Sequence, residues 1–378
     1  MINNRLVYLA IVALILSIAV FVFSLFWQKY NYQPLSLSVK ILHSFETSSL
    51  LASAVPQIQS AIEPEIKSQS ASLFFAGDIM LDRSVWLYTQ KFQDYNYPFA
   101  LFKIPEKFDW RIANLEGPIT NYKSVAQVSR MTFTFSSLLL PALKNNFDIV
   151  SLANNHTTNF GQKGLSQTRA YLTTSSIQYF GDPNNLVNFM SATTSVNGVS
   201  IGLLGYNQLS DYDFSKILSE VRSLKSAFAL SSGRGEVSFV IIYPHWGTEY
   251  QTLKPNSQQV AEAHQLLDAG ADLIIGSHPH VIEPIEEYQG KYIFYSLGNF
   301  IFDQYFSLET QQGLTLGVYL TKTEQGIATK FKLFPVQISQ TSQVSIAGRK
   351  VRDQILKSLA KLSQVNTSTR KGIEMGEF

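Results

Sequence analysis

A chain of 378 residues that is 45% hydrophobic and 13% aromatic carries enough apolar material for a substantial core, which excludes an intrinsically disordered protein. Its 30 basic and 28 acidic residues nearly cancel to a formal +2, with the basic ones scattered, so no electrostatic footprint for nucleic acid is present. The absence of cysteine excludes disulfides, thiolate metal sites and a lipid-bearing cysteine.

The first predicted element is the uncharged run LVYLAIVALILSIAVFVFSLFW, residues 6–27. As a helix it would rise about 33 Å at roughly 1.5 Å per residue, enough to cross a hydrocarbon core of about 30 Å. It is longer than a signal-peptide apolar region, and no A-x-A-like cleavage site follows Trp27 closely, so residues 1–29 are expected to be a retained single-pass membrane anchor. Arg5 on one flank opposes Lys29 and Lys40 on the other, so the orientation rests on the default for one N-terminal anchor, with the bulk of the chain outside the cytoplasm. Residues 30–70, rich in Ser and Gln with Pro34, Pro56 and Pro64, read as a stalk in which 47–54 is a candidate short helix.

A folded domain is expected over 71–345. Strand-like apolar runs recur at 71–78, 108–116, 147–156, 199–207, 236–246, 271–280 and 291–300, with helical patterns between them at 164–174 and 257–269. Continuous apolar strands alternating with helices predict an α/β domain whose strands are buried on both faces. Residues 314–320 and 327–336 alternate as antiparallel edge strands would, and the segment 346–378 reads as an amphipathic helix followed by a polar tail expected to fray from Val365.

The polar chemistry collects at strand ends, where open α/β sheets gather ligands. Asp78 follows LFFAG, Asn114 and Glu116 follow WRIA, Asn154, Asn155 and His156 follow DIVSLA, His245 follows FVIIYP, and His278 with His280 follow DLIIGS. Each alone has a plain alternative, a hydrogen-bonded loop histidine or an Asn turn. That alternative must be invoked at five strands, always at the same end and always with a residue able to bind metal. Carboxylates, imidazoles and an amide without any thiolate suit one or two divalent ions such as Mn, Zn, Fe or Mg. In GSHPH, residues 276–280, Pro279 is expected to bend the loop so that both rings turn toward one centre or two adjacent ones.

The stretches GDIML (77–81), NLEGPI (114–119), SLANNH (151–156), YPHWGTEY (243–250), AGADLIIGSHPHVIEPIE (269–286) and YSLGNFIFD (295–303) together resemble the CapA family of capsule or poly-γ-glutamate synthesis proteins, whose domain is similar to the calcineurin-like metallophosphoesterases. The resemblance implies a four-layer α/β/β/α sandwich of metallophosphoesterase type. It also implies site roles: Asp78 as the first aspartate ligand, Glu116 as the bridging carboxylate, Asn155 as the amide ligand, His245 as the lone histidine ligand, and His278 and His280 as the paired ligands. His156 would be the non-ligand histidine that protonates a leaving group or stabilises phosphoryl oxygens. Where the D-x-H motif of that class has its histidine this chain has Met80, with Asp82 close enough in sequence to compensate.

Around this set, Asn114, Arg130, Glu249 and Asn299 are expected to bind substrate or to orient the ligands. Glu249 is open between orienting a histidine and ligating, Asn299 between binding substrate and capping a turn, and Arg130 between clamping an anion and lying on a solvated loop. His43 and His264 fall outside the strand-end pattern and read as ordinary surface residues. Two functions are then in view. One is a membrane-tethered, extracytoplasmic hydrolase acting through a metal-activated water on a phosphoester or an anionic envelope polymer. The other is a non-catalytic polymer-binding or scaffold subunit that meets membrane partners in a poly-γ-glutamate synthesis and export complex.

Overall fold

A computed structural model describes residues 69–123, 131–226 and 237–378 of the chain. The expected anchor at 1–29, the stalk helix at 47–54, His43 and Arg130 lie outside the described residues. Among the described residues no helix is long and apolar enough to cross a membrane.

The chain opens with β1 (Ser70–Ile79), α1 (Arg83–Phe92), β2 (Trp110–Leu115), α2 (Leu140–Asn146), β3 (Ile149–Ser151), α3 (Gly161–Thr174) and β4 (Gln178–Phe180). It continues through α4 (Val187–Met190), β5 (Ser191–Val196), β6 (Val199–Leu204), α5 (Phe214–Ser226), β7 (Phe239–Ile242), α6 (Ser257–Asp268), β8 (Leu273–Ile275), β9 (Ile285–Tyr288) and β10 (Lys291–Phe294). It ends with β11 (Asn299–Ile301), β12 (Gln312–Thr323), β13 (Gly326–Ile338), β14 (Val344–Ile346), α7 (Arg349–Leu362) and α8 (Thr367–Met375).

Among the described residues these strands form two sheets. One has the order β14-β13-β12-β1-β2-β3-β4, with β11 joining the end of β1, and the other has the order β5-β6-β7-β8-β10-β9. β1 to β4 run parallel, as do β6, β7, β8 and β10. Their apolar continuity follows from burial on both faces: in β1, Leu73 and Phe75 pack between the sheets with Ile201, Ile241 and Leu273, whereas Phe74 and Ala76 pack outward with Leu143 of α2 and Leu172 of α3. The outer face of the second sheet is covered by Val221 and Leu224 of α5 and Ala263, Leu266 and Leu267 of α6. A mixed α/β fold with helices outside two facing sheets results.

α6 starts where expected because Asn256 and Gln259 form a capping box, each side chain accepting from the other's backbone N–H at 2.8 Å. Two expectations change. The 314–320 and 327–336 segments are antiparallel as predicted, but neither is an edge: β12 lies between β1 and β13, and β14 covers β13. The tail after Val365 does not fray. Asn366 caps α8 by accepting from Thr369 N at 2.9 Å, buried Ile373 docks it, and Phe378 exchanges two backbone hydrogen bonds with Phe331.

Candidate metal centre

The centre is assembled at the carboxyl ends of β1, β2, β3, β7 and β8. β1 and β2 shift register between Ala76 and Asp78, and there β11 comes in beside β1. A Cβ on Gly77 would lie 1.8 Å from the Gly298 carbonyl oxygen, so only glycine allows this approach, in which Asp78 N donates to that oxygen at 3.1 Å. Asp78 is thereby fixed, fully buried, with Oδ1 accepting from Asn114 Nδ2 at 2.8 Å and Oδ2 accepting from His278 N at 3.1 Å.

The three residues Asn154, Asn155 and His156 divide their work. Asn154 is structural: its amide donates to Asn114 Oδ1 and Leu115 O, and its oxygen accepts from His156 N, Thr157 N and Thr157 Oγ. Asn155 faces the centre, with Oδ1 3.0 Å from His245 Nε2. His156 contacts Asn159 Oδ1 through Nδ1 at 3.1 Å and turns Nε2 toward Glu116 Oε1, 3.9 Å away.

His245 extends the second sheet between Asn207 and Ser277. His245 Nδ1 lies 3.1 Å from Ser277 Oγ, which donates to Pro244 O, and 3.3 Å from Asn114 Nδ2, and these two contacts aim Nε2 at Asn155 Oδ1, 3.0 Å away.

The GSHPH loop turns at its two histidines, where a bend at Pro279 was expected. His278 has φ +97° and His280 φ +58°, so both histidines themselves take the left-handed region, a strain of about 1 kcal/mol or more each. The strain is held by the bond from His278 N to Asp78 and by Tyr250 N donating to Pro279 O at 2.8 Å. His280 Nδ1 donates to Asn299 Oδ1 at 3.0 Å, which leaves Nε2 free to face Glu116 Oε1 at 3.6 Å and Glu249 Oε1 at 4.0 Å. Asn299 spends its amide on Gln304 Oε1 and Thr310 O, so it orients His280.

The residues fit a divalent ion on their own chemistry. Both Glu116 carboxylate oxygens and His278 Nδ1 are buried without a hydrogen-bond partner. Asp78, Glu116 and His245 each present a ligand atom within 4.8 Å of the other two, and Glu249, His278 and His280 do the same. Burial, then the charges of Asp78 and Glu249, pushes the Glu116 carboxyl well above its usual range, against the pull of Arg83. Burial, then repulsion by His280, pushes His278 down to about 3, and burial with repulsion by His278 holds His245 well below the usual imidazole range. A bound cation's charge would favour both the ionised form of Glu116 and the neutral imidazoles, which are the ligating forms.

Asp82 does not compensate for Met80: its Oδ1 accepts from Arg83 N at 2.7 Å and its Oδ2 from Thr134 N at 2.8 Å. His264 lies apart from the centre, its side chain 30% exposed, stacked on Tyr288 with ring centroids 3.9 Å apart and bonded to Glu286 at 2.8 Å. Arg83, which sequence reasoning passed over, is buried beside the centre. It pairs with Asp303, and its guanidinium lies 4.9 Å from the Phe133 ring, which packs on His156, and 5.7 Å from the Phe302 ring, which packs on His280. Its only sequence signal was its nearness to GDIML.

A family model described as bacterial capsule synthesis protein PGA_cap matches residues 72–304. The chain is 30% identical over 315 residues to the PGA biosynthesis protein CapA of Bacillus subtilis (strain 168), covering 79% of this chain and 80% of that protein. It is 29% identical over 274 residues to the capsule biosynthesis protein CapA of Bacillus anthracis, covering 68% and 66%. Among solved structures, calcineurin-like phosphoesterase YfkN from Bacillus subtilis aligns with a TM-score of 0.40 and 14% identity over 78% of this chain and 98% of that one.

Proposed function

Because the chain belongs to the bacterial capsule synthesis protein PGA_cap family, we propose that it serves capsule or poly-γ-glutamate synthesis as a membrane-anchored, extracytoplasmic hydrolase with a metallophosphoesterase-type site. The observation that carries this reading is the buried Glu116 carboxylate, unpaired at both oxygens, with His280 Nε2 at 3.6 Å and His156 Nε2 at 3.9 Å.

In this reading Asp78, Glu116, Asn155 and His245 would hold one divalent ion, and Glu116 with His278 and His280 would hold a second. Such ions, of Mn, Zn, Fe or Mg, supply Lewis acidity and acidify water when bound. The protein's own groups do the remaining work. Asn114 and Asn154 lock Asp78 and the loop after β3. Arg83 contributes positive potential toward a phosphoester or other anionic polymer. Burial, then His280 and Arg83, pushes His156 down to about 4 despite its bond to Asn159. Its Nε2 faces the centre, where it would protonate a leaving group or stabilise phosphoryl oxygens.

The alternative, a polymer-binding or scaffold subunit among membrane partners, draws support from Met80. The side chain is buried in the apolar core, with its sulfur accepting from Asp82 N at 3.1 Å, so the position offers no imidazole. The deciding experiment loads the full chain in detergent with Mn²⁺ or Zn²⁺ and assays phosphoesters and γ-glutamyl polymers. Hydrolysis on the order of 100-fold or more above a His245→Ala, His278→Ala variant supports the enzyme. Metal binding and polymer binding without turnover would transfer the assignment to the scaffold.

A further inference from the structure

Resting on the metal reading above, we infer that Glu249 is a ligand of the second ion and supplies a donor to a centre in which Met80 supplies none. The loop that carries it is held to the centre at several points. Trp246 N donates to Ser277 O at 3.1 Å and its indole Nε1 to Tyr295 O at 2.8 Å. Gly247, at φ +90°, donates to Gln208 Oε1 at 2.9 Å, and Tyr250, at φ +64°, donates to Pro279 O inside GSHPH. The Tyr250 ring also lies over His280 with centroids 6.1 Å apart. Glu249 thus sits between Trp246 and Tyr250, whose backbone N–H groups are tied to Ser277 and Pro279 of the GSHPH loop.

Its carboxylate is 4.0 Å from His280 Nε2, and Glu249, His278 and His280 each offer a ligand atom within 4.8 Å of the others. Ligands on one ion with bonds of about 2.1 Å lie roughly 3 Å apart, so Glu249 needs to close in by about 1 Å. Its side chain is 34% exposed, which leaves it the freedom to do so. The two nearer candidates are both committed elsewhere: Met80 lies in the core, and Asp82 caps α1 and ties down Thr134. A carboxylate in place of an imidazole would bias an ion held there toward harder ions, Mn²⁺ or Mg²⁺ over Zn²⁺.

The test is Mn²⁺ binding by the full chain and its Glu249→Gln variant, read by elemental stoichiometry and by electron paramagnetic resonance. The expected result is two equivalents with a spin-coupled spectrum in the parent, and one equivalent with an uncoupled six-line spectrum in the variant, the second site weakened by about 10 to 100-fold or more. Two coupled equivalents of unchanged affinity in the variant overturn the role of Glu249 alone. One equivalent in both proteins does the same. A parent that binds no metal overturns the metal reading itself.

Discussion

At the scale of single residues, the candidate ligands were legible because each is a polar residue placed after an apolar run. Their orientation was not. Which nitrogen of His280 faces the centre depends on Asn299, whose oxygen takes the Nδ1 proton at 3.0 Å, and nothing in SLGNF specifies that contact. Asn299→Ala leaves Nδ1 only Asp78 Oδ2, 3.4 Å away and already bonded to His278 N, so the ring is free to turn. The expected consequence is a loss of about 10 to 100-fold in Mn²⁺ affinity by calorimetric titration. Asn299→Asp, which keeps the acceptor, restores most of it. Equal affinities in all three proteins would return Asn299 to the substrate-binding role that the sequence left open. Arg83 escaped notice, and the role of Glu249 stayed open, for a related reason: what makes them relevant is contact with Phe133, Phe302 and His280, residues far away in the chain.

At the scale of elements, the strands were easy to read because burial on both faces forces long apolar runs. The helix α8 was harder, since only Ile373 among its apolar residues is buried and the signal lay in its end groups, Asn366 and the left-handed Gly376 at φ +88°. The sharpest element-level requirement is the junction of β1 with β11. Gly77→Ala would put a methyl 1.8 Å from the Gly298 oxygen, and neither backbone can yield without separating two strands that carry Asp78 and Asn299. This substitution is expected to destabilise the domain by about 1 to 3 kcal/mol or more in denaturant unfolding, and to lower metal content in whatever fraction folds. Gly290→Ala is the control, because nothing lies within 4 Å of its would-be Cβ and its positive φ alone costs about 1 kcal/mol. If the two variants unfold alike, the close approach at Gly77 does not govern the junction.

At the scale of the whole molecule, the centre couples stability to pH and to metal. His156, His245 and His278 titrate lower in the folded protein than in the unfolded chain, so the unfolded chain takes up protons first as pH falls below about 6.5, and acid destabilises the fold. Glu116 and Glu283 do the opposite. Burial raises both, Glu283 to about 8 despite its bond from Gln259, so the unfolded chain loses protons first as pH rises above about 4.5, and alkali destabilises the fold. Between about pH 4.5 and 6.5 three rings outweigh two carboxyls and stability climbs; above about 6.5 only the carboxyls act and it declines. The melting temperature of the metal-stripped protein should therefore peak near about pH 6.5. Mn²⁺ changes the balance by making ionised Glu116 the favoured state and leaving Glu283 as before. Added at about 1,000 times its dissociation constant it stabilises by about 4 kcal/mol, and the maximum moves toward higher pH. Calorimetric scans with chelator and with Mn²⁺ from pH 5 to 9 read both effects. A maximum that Mn²⁺ raises without moving would place the ion away from Glu116, and one that Mn²⁺ leaves untouched would remove the metal from the centre altogether.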